Sequence, residues 1–460
     1  MATKALGREP HSVEEYEAVH TDTATTNANT IQVATLAIRQ IRAVSANSAW
    51  PLLTSQATPT TAAPTRPANS TTSAPTRAAT IDHSAAMVTE RITTPRAGGR
   101  MTGRPGSCTP ELCHTLPMPR VLVIGGTRFI GLHTVRALVE AGCEVALFHR
   151  GDTEPGGLPH VQHVHGDRRE LLSFVPAFER FTPDVVLDMV PIGRADAVDT
   201  VLAFNGVAGR VVAISSQDVY LAYDILRRRE QEPPVPQPMT EDAPLREQLY
   251  PYRDLFPADS RMHDYDKIPI EQTYLADPDL PGTIVRLPAV YGPNDYQHRP
   301  FPYLRRMVDG RRWIILDERG AGWRWSRAFV DNAAAAITLT VLDDRAAGRI
   351  YNVAEPVALT EEEWVRAIGA ENGWSGEIIA MATDDVPQHL RDEELNFAQD
   401  LVVDTTKIRQ ELGYQEPIEP GEAMERTIEW ELAHMPEEMP GHRLDYEAED
   451  EALPDLTLGI

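Results

Sequence analysis

Hydrophobic positions in this chain fall into two rhythms that alternate. The run Arg120-Val121-Leu122-Val123-Ile124 is mostly β-branched or apolar and ends in Gly125-Gly126. An amphipathic stretch follows at once, with Leu132, Val135, Leu138 and Val139 at helical spacing. That order predicts a strand, a tight turn and a helix, and Glu144 to Phe148 predicts the next strand. Further strands are predicted at Val161–Val164, Asp184–Leu187, Arg210–Ile214 and Thr283–Leu287, with a helix near Ala195–Phe204. Such alternation implies a parallel sheet covered by helices on both faces. Residues 223–262 break the rhythm with clustered Pro, Arg and Glu, as a loop excursion over a site would.

From about residue 288 the segments shorten. Helices are predicted near Tyr303–Asp309, over Asn332–Leu342 and behind the Thr360-Glu361-Glu362-Glu363 cap, with a strand at Trp313–Leu316. The helix around Ala423–Leu432 is expected to be the last ordered element. The expected domains are therefore 118–287, a lobe at 288–435 partly interleaved with it, and an acidic tail at 436–460.

Composition changes the picture at the N-terminus. Residues 1–117 are rich in Thr, Ala, Pro and Ser and nearly free of aromatics, as in Ala57-Thr58-Pro59-Thr60-Thr61-Ala62-Ala63-Pro64-Thr65. Such a segment cannot bury enough apolar area to offset its ordering entropy, so a disordered extension is expected. Residues 23–110 share the Arg-containing, acid-poor composition of an organellar transit peptide. A start at Met118, directly before the first strand, is the simpler account.

Charge bears on partners. The chain holds 68 acidic and 43 basic residues; eight and ten of these lie in 1–117, leaving 60 against 33 in the remainder. An acidic surface argues against nucleic acid, which needs a basic face; the local cluster Arg305, Arg306, Arg311 and Arg312 is the exception. Only Lys4, Lys267 and Lys407 are lysines, a composition that suggests a GC-rich genome. Three cysteines supply no disulfide framework and fit a reducing, cytoplasmic setting. Cys108-x4-Cys113-His114 has the spacing of half a metal site without a second half, so no metal is expected. No apolar run approaches a membrane span, and no secretory signal pattern opens the chain.

The chemistry begins at the glycine turn. In a strand–turn–helix setting, backbone N–H groups at the helix start meet a dinucleotide pyrophosphate. Gly125, Gly126, Thr127, Arg128, Phe129, Ile130 and Gly131 are the residues placed to do so. About twenty residues on, where the ribose is read, stand His149-Arg150 rather than an acid. A cation there suits a 2′-phosphate, so NADP is expected, with NAD as the alternative.

Several landmarks recur in order: this turn, Gly166-Asp167, Ser215-Ser216-Gln217-Asp218-Val219-Tyr220, Lys267-x3-Glu271, Arg286-x4-Tyr291-Gly292-Pro293 and Asp404-x2-Lys407-x4-Leu412-Gly413. Over roughly 119–435 the chain resembles the extended short-chain dehydrogenase/reductases, the NAD-dependent epimerase/dehydratase group. Gly-Gly-Thr-Arg-Phe-Ile-Gly followed by Phe148-His149-Arg150-Gly151 is most similar to atypical members related to chloroplast stem-loop-binding proteins. The resemblance implies an α/β, Rossmann-type doubly wound sheet with a smaller C-terminal substrate-side lobe. It also implies hydride transfer on a nucleotide sugar or related polyol, with Ser216 and Lys267 in the catalytic Ser and Lys positions. Asp167 would approach the adenine, or else cap a helix over 168–174. Arg324 and Arg327 would meet substrate phosphates, or stack on the neighbouring tryptophans.

Departures from the family pattern fall on the acid/base. Four residues before Lys267 stands His263 instead of Tyr, and Tyr265 is two before it. Pro269 is tolerated only in a first helical turn, which makes Asp266 a candidate N-cap and leaves 263–265 outside the helix. Either His263 or a displaced Tyr265 then carries the proton, or no competent acid/base remains. Arg128 takes a position usually held by glycine, and Ala289 one often held by Asn. The rival to an enzyme is accordingly a catalytically depleted dinucleotide sensor or RNA-associated scaffold. For a homodimer, the helix pair 195–204 and 267–276 would be the natural face.

Overall fold

The computed structural model describes residues 118–453. The N-terminal segment with Cys108, Cys113 and His114 lies outside the described residues. Eleven strands are named in chain order: β1 (Arg120–Ile124), β2 (Glu144–His149), β3 (Gln162–His165), β4 (Val185–Asp188), β5 (Arg210–Ser216), β6 (Gly282–Leu287), β7 (Ala289–Tyr291), β8 (Trp313–Asp317), β9 (Arg327–Phe329), β10 (Ile350–Asn352) and β11 (Glu377–Met381). The helices used below are α1 (Phe129–Glu140), α2 (Arg194–Phe204), α3 (Lys267–Ala276), α4 (Phe301–Val308), α5 (Val330–Leu342), α6 (Glu361–Glu371), α7 (Pro420–His434) and α8 (Tyr446–Glu451).

Seven strands form one sheet in the order β10-β6-β5-β4-β1-β2-β3, and every pairing in it is parallel. The expected Rossmann-type sheet is present, with β10 carried in from the C-terminal half. Side chains alternate across each strand. Val121 and Val123 join the core beneath α1 and α5, while Leu122 and Ile124 join Phe178, Phe204 and Tyr274 on the other face. Parallel strands buried on both sides need such continuous apolar runs, and each buried Val or Leu contributes about 1.5–3 kcal/mol.

Two small parallel pairs, β8 with β11 and β7 with β9, stand apart from the large sheet. Helix α6 opens on the expected cap: Thr360 Oγ1 accepts from Glu363 N, and Glu363 Oε2 accepts from Thr360 N. The chain does not end its order at α7. It continues into α8, where Glu449 is buried against Arg306 and His389. An acidic segment reads as solvated in sequence, yet here it neutralises an arginine that α4 buries.

β1 has β2 on one side and β4 on the other, and the chain leaves these neighbours in opposite directions. A crevice forms beyond the carboxyl ends of strands at such a switch point.

Candidate dinucleotide and active site

The glycine turn fills that crevice. Gly125 and Gly126 both take φ +94°, a left-handed conformation that L side chains rarely adopt. A Cβ on Gly131 would stand 2.6 Å from Gly126 Cα, so α1 starts pressed onto the turn. On the other side, a Cβ on Gly125 would meet Val190 at 3.2 Å. The residues present fit a dinucleotide: a bare backbone turn runs directly into the positive end of a helix. Phe129 lies edge-on to Tyr296, with ring centroids 6.0 Å apart, which sets the 292–298 loop beside the turn.

At the adenosine end the expected cations are engaged locally. Arg128 Nη2 donates to Thr153 Oγ1 at 2.9 Å, and Arg150 pairs with Asp152 at 3.0 Å. Both members of the Arg150–Asp152 pair are about half exposed, so an incoming phosphate has access to the guanidinium. Asp167 caps the turn over Arg168–Phe174 by accepting from Arg169 N, as its alternative reading had it. Hydrogen bonding from the Arg169 side chain holds its carboxyl down at about 2.

The ends of β4 and β5 meet the residues expected to be catalytic. Asp266 Oδ1 accepts from Ile268 N at 3.0 Å and caps α3, which puts Pro269 in the first turn and 263–265 ahead of the helix. Lys267 therefore opens α3 and points inward. Its Nζ donates to Pro191 O at 2.6 Å and Ile214 O at 3.2 Å, tying the ends of β4 and β5 together. Pro191 follows Val190, the residue against Gly125, so the lysine and the glycine turn share one edge of the sheet. Burial pushes the Lys267 ammonium down to about 8, against the opposing pull of Asp218 and Asp188.

Tyr265 lies against this lysine, its ring centroid 5.6 Å from Nζ. Its hydroxyl donates to Asp218 Oδ2 at 2.9 Å. Burial first, and then the Asp218 charge, hold the phenol well above its ordinary value. His263 is tied into its own loop, with Nδ1 donating to Phe256 O at 3.0 Å. Ser216 ends β5, and its Oγ accepts from Asp218 N at 3.2 Å, which leaves its own O–H to donate elsewhere. Asp218 was not singled out in the sequence. Its signal was its place two residues after Ser216, and its Oδ1 is buried without a hydrogen-bond donor.

Of the two arginines expected to meet substrate, Arg327 is buried, paired with Glu361 and 4.6 Å from the Trp364 ring centroid. Arg324 donates to Ala358 O at 2.7 Å and lies 3.4 Å from Glu363. A cleft of about 140 Å³ is lined by Tyr223, Tyr303, Trp323, Trp325 and Phe397 among others. The four-arginine cluster is not a free basic stripe. Arg306 is buried with Glu449, Arg305 pairs with Asp309, and Arg311 pairs with Asp450.

Sequence reading named His149 only beside Arg150 and passed over His163 and His165. His163 and His165, on one face of β3, meet His149 at the end of β2 and Glu154 in the loop between them. The spacing His-x-His on a strand was the available signal.

Among the described residues, no helix is long and apolar enough to cross a membrane. Residues 121–197 match the NAD dependent epimerase/dehydratase family model. The chain is 30% identical over 261 residues to a 2′-dehydrokanamycin reductase of Streptomyces kanamyceticus, covering 53% of this chain and 66% of that protein. It is 33% identical over 127 residues to the chloroplast stem-loop binding protein of 41 kDa b of Arabidopsis thaliana, 25% of this chain and 33% of that one. In fold it is similar to an epimerase of Methanothermobacter thermautotrophicus, with a TM-score of 0.51, 16% identity, and 69% and 93% of the two chains covered. A UDP-glucose 4-epimerase of Thermotoga maritima solved with UDP-glucose aligns with a TM-score of 0.50, 16% identity, and 69% and 100% coverage. The glycine turn, the ordered landmarks and the sheet agree with these matches: over residues 121–197 the chain carries the NAD dependent epimerase/dehydratase family pattern, and it spans less than two thirds of the length of the curated relatives it matches.

Proposed function

We propose that this protein is a cytoplasmic, NADP-dependent oxidoreductase that acts on a sugar carbon, on a nucleotide sugar or a related polyol, and works best in the direction of carbonyl reduction. The observation that carries the reading is the group Ser216, Asp218, Tyr265 and Lys267 gathered on the same sheet edge as the glycine turn. A bound reduced dinucleotide supplies hydride to the carbonyl carbon. The Ser216 hydroxyl donates to the carbonyl oxygen, and Tyr265 delivers the proton that the oxygen then needs.

A phenol held well above its ordinary pKa stays protonated at neutral pH; as a weak acid it passes its proton only to a strongly basic acceptor such as the alkoxide that hydride addition to a carbonyl generates, which favours reduction over oxidation. The Lys267 ammonium offsets the phenolate that Tyr265 leaves behind. Asp218 Oδ1, buried without a donor, would accept a substrate hydroxyl. The relative named as a 2′-dehydrokanamycin reductase supports this direction. Arg150, exposed beyond β2, would hold the 2′-phosphate, and the homodimer would form through α2 and α3. An RNA-associated scaffold is the weaker reading, because three of the four arginines it would use are paired with carboxylates.

Calorimetric titration of NADPH and NADH into the full chain tests the cofactor. NADPH is expected to bind more tightly than NADH, with the preference lost in Arg150→Ala. Equal affinities in the parent protein would overturn the choice of NADP. Binding of neither would remove the oxidoreductase reading itself.

A further inference from the structure

Strand register brings three imidazoles onto one face of the sheet. His149 ends β2 and pairs in register with His165 of β3; His163 stands two residues earlier on the same strand and so on the same face. Glu154 folds back from the β2–β3 loop to join them. Its Oε1 lies 3.1 Å from His165 Nε2, 3.7 Å from His163 Nδ1 and 4.0 Å from His149 Nε2. His149 Nε2 and His163 Nδ1 are 2.8 Å apart, and one donor atom from each of the four residues falls within 4.8 Å of all the others.

We infer that His149, His163, His165 and Glu154 form a binding site for a divalent transition metal, best suited to zinc. Three imidazole nitrogens and one carboxylate oxygen are a donor set zinc accepts. Tetrahedral ligands about 2.0–2.1 Å from the ion stand roughly 3.3 Å from one another, so the four atoms need only modest adjustment. Imidazole donors disfavour magnesium and calcium, which take oxygen shells. The carboxylate also decides between ion classes: an anion such as phosphate would be repelled by Glu154, whereas a cation gains from it.

Loading moves one proton within the His149 ring, from Nε2 to Nδ1, without releasing it. His149 Nδ1 accepts from Gly151 N at 3.2 Å, which puts the neutral ring's proton on Nε2, shared with His163. Metal binding releases that hydrogen bond as His149 turns to its other tautomer, and the long Gly151 contact opens. The ion then clamps the 149–154 loop to β3. This site does not depend on the oxidoreductase reading, since its ligands are not the groups assigned to catalysis.

The test uses the full chain stripped with a chelator and titrated with zinc chloride, in a Cys108→Ser/Cys113→Ser background so that the N-terminal thiols do not contribute. One zinc per chain is expected. His163→Ala/His165→Ala should remove it, and Glu154→Gln should weaken it by about tenfold or more. His165 and Glu154 are exposed, so Glu154→Gln and a single His165→Ala remain informative if the double variant folds poorly. Cobalt in place of zinc should give the visible spectrum of a tetrahedral nitrogen/oxygen site without thiolate charge transfer. No stoichiometric binding in the double-serine background, or binding indifferent to all three histidine and glutamate variants, overturns the inference.

Discussion

At the scale of the residue, Lys267 carries opposed demands. In the proposed reaction its ammonium is needed beside Tyr265, yet burial lowers its pKa to about 8. Below that value it is charged and can stabilise a phenolate; above it the amine is neutral and that support is gone. Activity on a reducible sugar, read as kcat/KM, should therefore fall as pH rises through about 8. Lys267→Met should be low throughout, with no inflection there. Stability runs the other way. An unfolded lysine keeps its proton to about pH 10.4, so between about 8 and that value the unfolded chain binds more protons than the folded one. Unfolding free energy from this group alone then climbs with pH across that window, and Lys267→Met should abolish the climb. A parent and variant whose stabilities share one pH profile there would show that the lysine is not buried as described. The neighbouring acid/base was only half legible. Pro269 pointed to the Asp266 cap, and so to the displaced Tyr265. Nothing in the local sequence showed that Asp218, 47 residues earlier, would receive its hydroxyl.

At the scale of the element, legibility follows the range of the forces that set each piece. The strands of the large sheet, and the α6 cap, rest on local periodicity and on contacts three residues apart, and both were readable. Helix α8 was not, because what holds it is an ion pair 143 residues away. Arg306 is buried on α4, and its Nη2 lies 2.5 Å from Glu449 Oε1, with His389 Nε2 3.1 Å from the same oxygen. Removing one member of such a pair leaves a charge buried alone, a loss of about 3–5 kcal/mol. Removing an N-cap hydroxyl costs about 1 kcal/mol. Glu449→Ala should thus lower the denaturation midpoint far more than Thr360→Ala, although Glu449 lies in an acidic stretch that looks dispensable. Equal midpoints for the two variants would mean that α8 is not docked in solution. The histidine face of β2 and β3 stayed hidden for the related reason that register, not sequence spacing, joins His149 to His165.

At the scale of the molecule, the acidic balance and the apolar positions left at the surface have to be reconciled. A strongly negative chain repels its own copies unless a neutral face is offered. Helices α2 and α3 pack side by side, and their outer positions include Val198, Leu202 and Leu275; Leu202 is 64% exposed. Val198 and Leu202 are four residues apart and so occupy one face of α2. An apolar side chain open to water gains about 25 cal/mol for each Å² it buries, and two copies meeting through this face would bury the same residues reciprocally, as a two-fold contact requires. Light scattering behind size exclusion should give the mass of a dimer for the full chain, and Leu202→Glu should shift it to a monomer with its thermal midpoint otherwise preserved. A stable interface typically covers about 800 Å² on each partner, more than three side chains supply, so the flanking polar surface of both helices has to close around them. Added salt separates the forces at work. If the apolar face drives association against the repulsion of two acidic copies, screening should strengthen the dimer. If ion pairs across the interface were responsible, the same salt would weaken it, and the assignment of this face would fall.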